Sequence, residues 1–171
     1  MKLILTGHDY AGKSTVLNEL WRYNNNGKMS YIHLSYREPT DKNFYDRTLD
    51  FSNFLMDRCF LDELIYPTVF GRQPSLTFED VGELVDKCRD NDIKLVVLEC
   101  DNDEILRRIK MRKDIEEEPE VLANIYQIKR MYEQLTDDFG IPRVNTTGKT
   151  TSEIIMEIDS LGKSKQFHIN K

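Results

Sequence analysis

Cysteine is scarce in this chain and follows no pattern. Cys59, Cys88 and Cys100 are odd in number and match no zinc or disulfide spacing, which excludes a disulfide-stapled scaffold and leads to the expectation of reduced, buried thiols in an intracellular protein. A basic excess is also missing: 24 Lys and Arg stand against 30 Asp and Glu, a net charge of −6. A surface that grips a nucleic-acid backbone along its length is therefore not expected. No apolar run approaches the ~20 residues of a membrane helix. Met1-Lys2-Leu3-Ile4-Leu5-Thr6 passes straight into a glycine motif with no signal-peptide h-region, so the expected location is the cytoplasm, without a membrane partner. Repeats, low-complexity tracts and linkers are absent from the sequence as well, so its 171 residues are expected to form one unit.

What the chain does contain is short runs of Val, Ile and Leu alternating with longer amphipathic stretches. That pattern belongs to a parallel sheet covered by helices on both faces. Strands are expected near 2–6, 30–36, 53–57, 93–100 and 141–146. Helices are expected near 13–24, 58–70, 77–90, 101–112, 118–138 and 150–162, with a short one within 41–50. The fold class is thus α/β, a single-domain three-layer α/β/α arrangement over residues 1–162 with a five-stranded parallel sheet, followed by a polar tail at 163–171.

Gly7-His8-Asp9-Tyr10-Ala11-Gly12-Lys13-Ser14 fits G-x-x-x-x-G-K-[ST], follows an apolar strand and opens an amphipathic helix. Glycines at these two places let the backbone wrap tightly enough for successive N–H groups to point inward. The N-terminus of the following helix adds its own attraction for phosphate oxygens. Lys13 can then reach the β- and γ-phosphates of a nucleoside triphosphate, and the Ser14 hydroxyl can ligate Mg²⁺. The expected cofactors are accordingly ATP and Mg²⁺. The motif is shared by GTPases, ATPases and kinases, but no Asn-Lys-x-Asp guanine motif occurs in the chain.

Gly7-x-Asp9-x-x-Gly12-Lys13-Ser14-Thr15, Arg37-Glu38-Pro39 after the second strand and Asp57-Arg58 closing the third come in an order that resembles thymidylate kinases and related deoxynucleotide kinases. Leu106-x-Arg108-Ile109-x-x-Arg112, followed by acidic residues, is similar to the lid of that family. Val144-Asn145-Thr146-Thr147 falls where its last strand borders the adenine of ATP. The resemblance spans most of residues 2–160 and implies a P-loop kinase with a short, mobile helical lid. It also implies ATP contacts from Arg108, Asn145, Thr146 and Thr147 beside the loop residues Gly7 to Thr15, and phosphate contacts from Arg108 and Arg112. For the acceptor it implies Asp9, Arg37, Glu38, Pro39 and Arg58, together with Glu63 and Tyr66 on the next helix and Arg72 just after it. A homodimer enters only because thymidylate kinases commonly pair.

Strand-end chemistry agrees with these roles, because ligands of doubly wound sheets sit beyond the carboxyl ends of the strands. A carboxylate at Asp57 can help Ser14 hold hydrated Mg²⁺ or accept a proton, and Arg58 offers a planar fork to phosphate. The plain alternative for this pair is a cap on the following helix. The basic run of Arg107, Arg108, Lys110, Arg112 and Lys113 has its own plain alternative, a self-paired surface helix. Two departures from the resemblance stand out. Tyr10 occupies a position where some thymidylate kinases carry arginine, and only eighteen residues separate Glu38 from Asp57, too few for the long helical segment of that family.

The expected activity is transfer of the γ-phosphoryl group of MgATP to a (deoxy)nucleoside monophosphate. The alternatives are a deoxynucleoside, a polynucleotide end or a modified DNA base as acceptor, and a non-catalytic nucleotide-binding module. Stable nucleic-acid binding is not expected, although a DNA acceptor remains open.

Overall fold

The structure is a computed structural model that describes residues 1–24, 27–35, 40–111 and 119–161. Arg37, Glu38, Pro39, Arg112 and the tail at 163–171 lie outside the described residues. The strands are β1 (Lys2–Thr6), β2 (Ser30–His33), β3 (Phe54–Asp57), β4 (Lys94–Glu99) and β5 (Arg143–Asn145). The helices are α1 (Lys13–Asn24), α2 (Lys42–Thr48), α3 (Asp62–Val69), α4 (Phe78–Asp90), α5 (Asn102–Met111), α6 (Pro119–Phe139) and α7 (Thr151–Ser160).

All strand pairs are parallel, in the order β2-β3-β1-β4-β5. The three central strands read as continuous apolar runs because both of their faces are covered. Side chains alternate between those faces. Leu3, Leu5, Leu55, Val96 and Leu98 pack with Val16, Leu17 and Leu20 of α1 and with Ile154 and Ile158 of α7. Ile4, Met56, Leu95 and Val97 pack on the other side with Ile65, Tyr66, Leu84, Ile128 and Tyr132 of α3, α4 and α6.

Local chemistry sets most helix starts. Thr77 with Asp80 and Thr150 with Glu153 form complete capping boxes. Asp41 caps α2 by accepting from the Phe44 N–H, and Pro119 takes the first position of α6, where its missing N–H costs nothing. Strands β2 and β5 are shorter than anticipated, and one helix start departs further. The helix anticipated from residue 58 begins at Asp62, because Arg58 adopts a left-handed φ of 69° that no α-helix can contain.

The register sets which residues meet above the sheet. Asp57 lies level with Leu5 on one side and His33 on the other. The loops that follow β1, β3, β4 and β5 therefore open at the same edge.

Candidate active site

The loop from Gly7 to Gly12 is built around close backbone approaches. A Cβ at Gly7 would stand 2.0 Å from the Leu98 carbonyl oxygen, and the Gly7 φ of 133° is outside the range of other residues. Tyr10 also takes a left-handed φ, 67°, a local strain of the kind that clusters at ligand-binding turns. Lys13, the first residue of α1, folds back over the loop and donates to the carbonyls of Gly7 (2.6 Å) and His8 (2.9 Å). Burial draws its ammonium below the usual lysine value and the Arg58 charge adds to that, against the pull of Asp9, Asp57 and Asp62.

His8 is buried and belongs to the frame of the loop. Its Nε2 accepts from the Cys100 N–H at 3.1 Å, which leaves Nδ1 to donate to the Asp9 carbonyl at 2.7 Å. Burial pushes the imidazole down to about 4, so the ring is neutral and its tautomer is set by these two bonds. With the side chain spent in this way, His8 can serve a bound phosphate only through its backbone.

Asp57 is 2% exposed. Its Oδ2 receives Ser14 Oγ at 3.2 Å and faces His33 Nδ1 at 3.1 Å. Its Oδ1 is buried with no hydrogen-bond partner among the described residues. A buried carboxylate oxygen without a partner is costly. Beside a serine hydroxyl at the mouth of a phosphate cradle it suits Mg²⁺, which is bound by one or two protein oxygens and completes its shell with water and phosphate. Ser14 and Asp57 are the residues that would hold the ion.

Arg58 leaves the sheet through its left-handed backbone, with its N–H on the Leu5 carbonyl at 3.1 Å. Its Nη2 donates to Asp9 Oδ1 at 2.8 Å and its Nη1 lies 3.6 Å from Asp62 Oδ1. The guanidinium sits 5.2 Å from the centre of the Tyr66 ring. Tyr66, fully buried, donates its hydroxyl to Asp9 Oδ2 at 2.7 Å. Burial alone would raise the Asp9 carboxyl, but the charges of Lys13 and Arg58 and the bonds from Tyr66 and Arg58 outweigh it and hold Asp9 below the ordinary carboxylate range. Asp9, Arg58 and Tyr66 thus meet. Glu63 and Arg72 are engaged elsewhere: Glu63 accepts from Tyr45 and Ser75, each at 3.0 Å, and Arg72 grips Glu120 at the start of α6.

On the other side of the loop, Arg108 is fixed within α5. It donates to Glu104 at 2.7 Å, to the Tyr10 carbonyl at 2.6 Å and to Thr146 Oγ1 and O at 3.1 and 3.2 Å. Thr146 donates to the Ala11 carbonyl at 3.0 Å, and Thr147 and Asn145 bond to Asp101. These contacts wall a cleft of about 430 Å³ between Tyr10, Gly12, Thr15, Arg107, Thr146 and Lys149, continuous with the phosphate loop. Arg108, implied by the resemblance as part of a lid, bridges the loop after β1 and the loop after β5 in this structure.

Three participants were not anticipated from the sequence. Asp62 follows Arg58 by one helical turn, a spacing that could have exposed it. His33 and Tyr132 reach the site only through strand order and helix packing.

No protein-family model and no curated protein sequence matches the chain. Solved structures do. The YorR protein from Bacillus subtilis, in complex with phosphorylated GDP, superposes with a TM-score of 0.76 at 24% identity, covering 99% of this chain and 100% of that one. Thymidylate kinase from Candida albicans gives 0.63 at 13%, with 95% and 90% covered. Deoxyadenosine kinase from M. mycoides with bound dCTP gives 0.57 at 15%, with 95% and 100% covered. The chain has the fold of P-loop kinases.

Proposed function

From that fold and the site at its strand ends, we propose an ATP-dependent phosphotransferase that moves the γ-phosphoryl group of MgATP to a (deoxy)nucleoside monophosphate. The observation that carries the reading is the buried Asp57 oxygen, without a hydrogen-bond partner among the described residues, on the carboxylate that accepts from Ser14. The solved thymidylate and deoxyadenosine kinases of the same fold support a nucleotide or nucleoside acceptor.

Each residue then has a task. The backbone of Gly7 to Thr15 and the N-terminus of α1 hold the phosphates, and Lys13 turns from its loop carbonyls to the transferring group. The cleft between Tyr10, Arg107, Arg108, Thr146 and Lys149 receives the donor base. Ser14 and Asp57 would hold Mg²⁺, which would supply positive charge to the phosphates. Asp9, held from behind by the buried Tyr66, faces the acceptor sugar and Arg58 faces the acceptor or transferring phosphate. Catalysis by such a set consists of positioning and charge stabilisation, with no covalent intermediate on the protein.

One observation favours the second reading, a nucleoside or another hydroxyl acceptor such as a polynucleotide end or a modified DNA base. Arg58 already lies between two carboxylates, Asp9 and Asp62, which reduces what it can offer to an acceptor phosphate. The cytoplasm is the proposed location; among the described residues no helix is long and apolar enough to cross a membrane.

The protein with MgATP and panels of nucleosides, monophosphates and short oligonucleotides should release ADP with one panel above the acceptor-free background. The panel that responds decides between the two readings, and silence in all of them refutes both. Lys13→Ala should reduce turnover to background while circular dichroism stays native. Retained turnover would remove Lys13 from the mechanism.

A further inference from the structure

Asp62 carries more interactions than a helix start requires. Its Oδ2 accepts from Thr6 Oγ1 at 2.7 Å and from the Cys59 N–H at 2.9 Å. Its Oδ1 accepts from Tyr132 Oη at 2.8 Å and faces Arg58 Nη1 at 3.6 Å. The Thr6 and Tyr132 hydroxyls are themselves 3.1 Å apart. The carboxylate is 3% exposed and the Tyr132 side chain 1%. Cys59 precedes α3, whose N-cap, Leu61, makes no side-chain cap bond, so helix capping does not account for these contacts. A full charge at this depth is costly unless donors and a counter-charge surround it, and here that counter-charge is Arg58.

The backbone tells the same story. Arg58 has a left-handed φ of 69°, which a residue with a side chain adopts at a cost of roughly 1–2 kcal/mol. The turn is pinned on both sides, by the Arg58 N–H on Leu5 and by the Cys59 N–H on Asp62. Asp62 therefore holds the peptide that aims Arg58 and pairs by charge, at 3.6 Å, with one nitrogen of its guanidinium, while Asp9 takes a hydrogen bond from the other. Thr6 at the end of β1 and Tyr132 in α6 clamp Asp62 from two other elements.

We propose that Asp62, clamped by Tyr132 and Thr6, is a positioning residue that sets the Arg58 guanidinium against Asp9 and so prepares the acceptor side of the site. The inference rests on the phosphotransferase reading for its kinetic consequence, but not for its structural content.

A double-mutant cycle on acceptor kcat/KM tests it. Asp62→Asn keeps the shape and removes the charge that faces Arg58, and should lower acceptor kcat/KM by roughly 100-fold while the KM for ATP changes little. In an Arg58→Gln background the same change should cost about twofold or less. An equal loss in both backgrounds would show that Asp62 supports the fold and not Arg58, and would overturn the proposal. Should Asp62→Asn fail to fold, Tyr132→Phe takes its place in the cycle, with a smaller loss that also vanishes beside Arg58→Gln. Nitrogen-15 spectra of the arginine side chains give a second reading without turnover. The Arg58 Nη–H signals, assigned by their disappearance in Arg58→Gln, should be slowly exchanging in the wild type and broadened in Asp62→Asn or Tyr132→Phe. Wild-type protein inert toward every acceptor would defeat the functional reading alone. Unchanged Arg58 signals in both variants would defeat the positioning role whatever the turnover.

Discussion

At His8 two hydrogen bonds dictate a protonation state. Cys100 donates to Nε2 and the Asp9 carbonyl takes the Nδ1 proton, so a second proton has no place without breaking the frame of the phosphate loop. Above the ordinary value of 6.5 the ring is neutral folded and unfolded. Between 6.5 and about 4 only the unfolded chain binds the proton, and stability falls with pH across that window. Below about 4 the folded ring is protonated as well and the loss stops growing. Its full extent is roughly 3 kcal/mol. Urea unfolding of wild type and His8→Gln from pH 8 to pH 4 should show the wild type losing that much more than the variant; parallel curves would deny His8 the role. Gly7 makes a simpler case. With the Leu98 oxygen 2.0 Å from the site of a Cβ, Gly7→Ala should unfold at markedly lower urea than wild type, by more than the ~1 kcal/mol of an average substitution. Residue types at these positions were readable as a phosphate cradle from spacing alone. That His8 is neutral and inward was not, because its partner Cys100 lies at the end of another strand.

Helix ends show where local chemistry suffices and where it fails. Thr77 and Thr150 each begin a capping box, and Thr77→Ala or Thr150→Ala should each destabilise the fold by about 1 kcal/mol, measurable by chemical denaturation with activity retained. Both starts were visible in sequence, since capping is a matter of three or four neighbouring residues. The start of α3 was not. Continuous apolar and charged spacing after Asp57 reads as helix, yet contacts from Leu5, Asp9 and Asp62 hold Arg58 in a conformation that local propensity disfavours. Helix α5 shows the same contrast. The likeness of residues 106–112 to a family lid implied a lid arm; the bonds of Arg108 to Tyr10 and Thr146, which that likeness did not disclose, join three elements around the cleft. Arg108→Ala should lower kcat on the order of 100-fold and raise the KM for ATP by less. Steady-state kinetics with kcat unchanged would rule out the brace as a catalytic support.

On the scale of the whole molecule, a ligand held by loops from β1, β3 and β5 at once should stiffen the sheet as a unit. Saturating MgATP, at about 100 times its dissociation constant, should add about 2.7 kcal/mol and raise the melting temperature by roughly 5–10 °C. Lys13→Ala should erase most of that shift in a thermal-melt assay, and a full shift in the variant would place the nucleotide elsewhere. The sequence by itself determined the parallel α/β class, the glycine turn between β1 and α1 and the strand-end position of Asp57 and Arg58. Each of these is written in short-range order: apolar runs of strand length, glycines at a set interval, a charge at the end of a run. Only the tertiary structure decided that Asp57 lies between Ser14 and His33, that Asp62 and Tyr132 stand behind Arg58, and that Arg108 braces two loops. Those partners come from different strands and helices, and the pairing order of the sheet and the packing of α6 against α3, not any local pattern, bring them within hydrogen-bond distance.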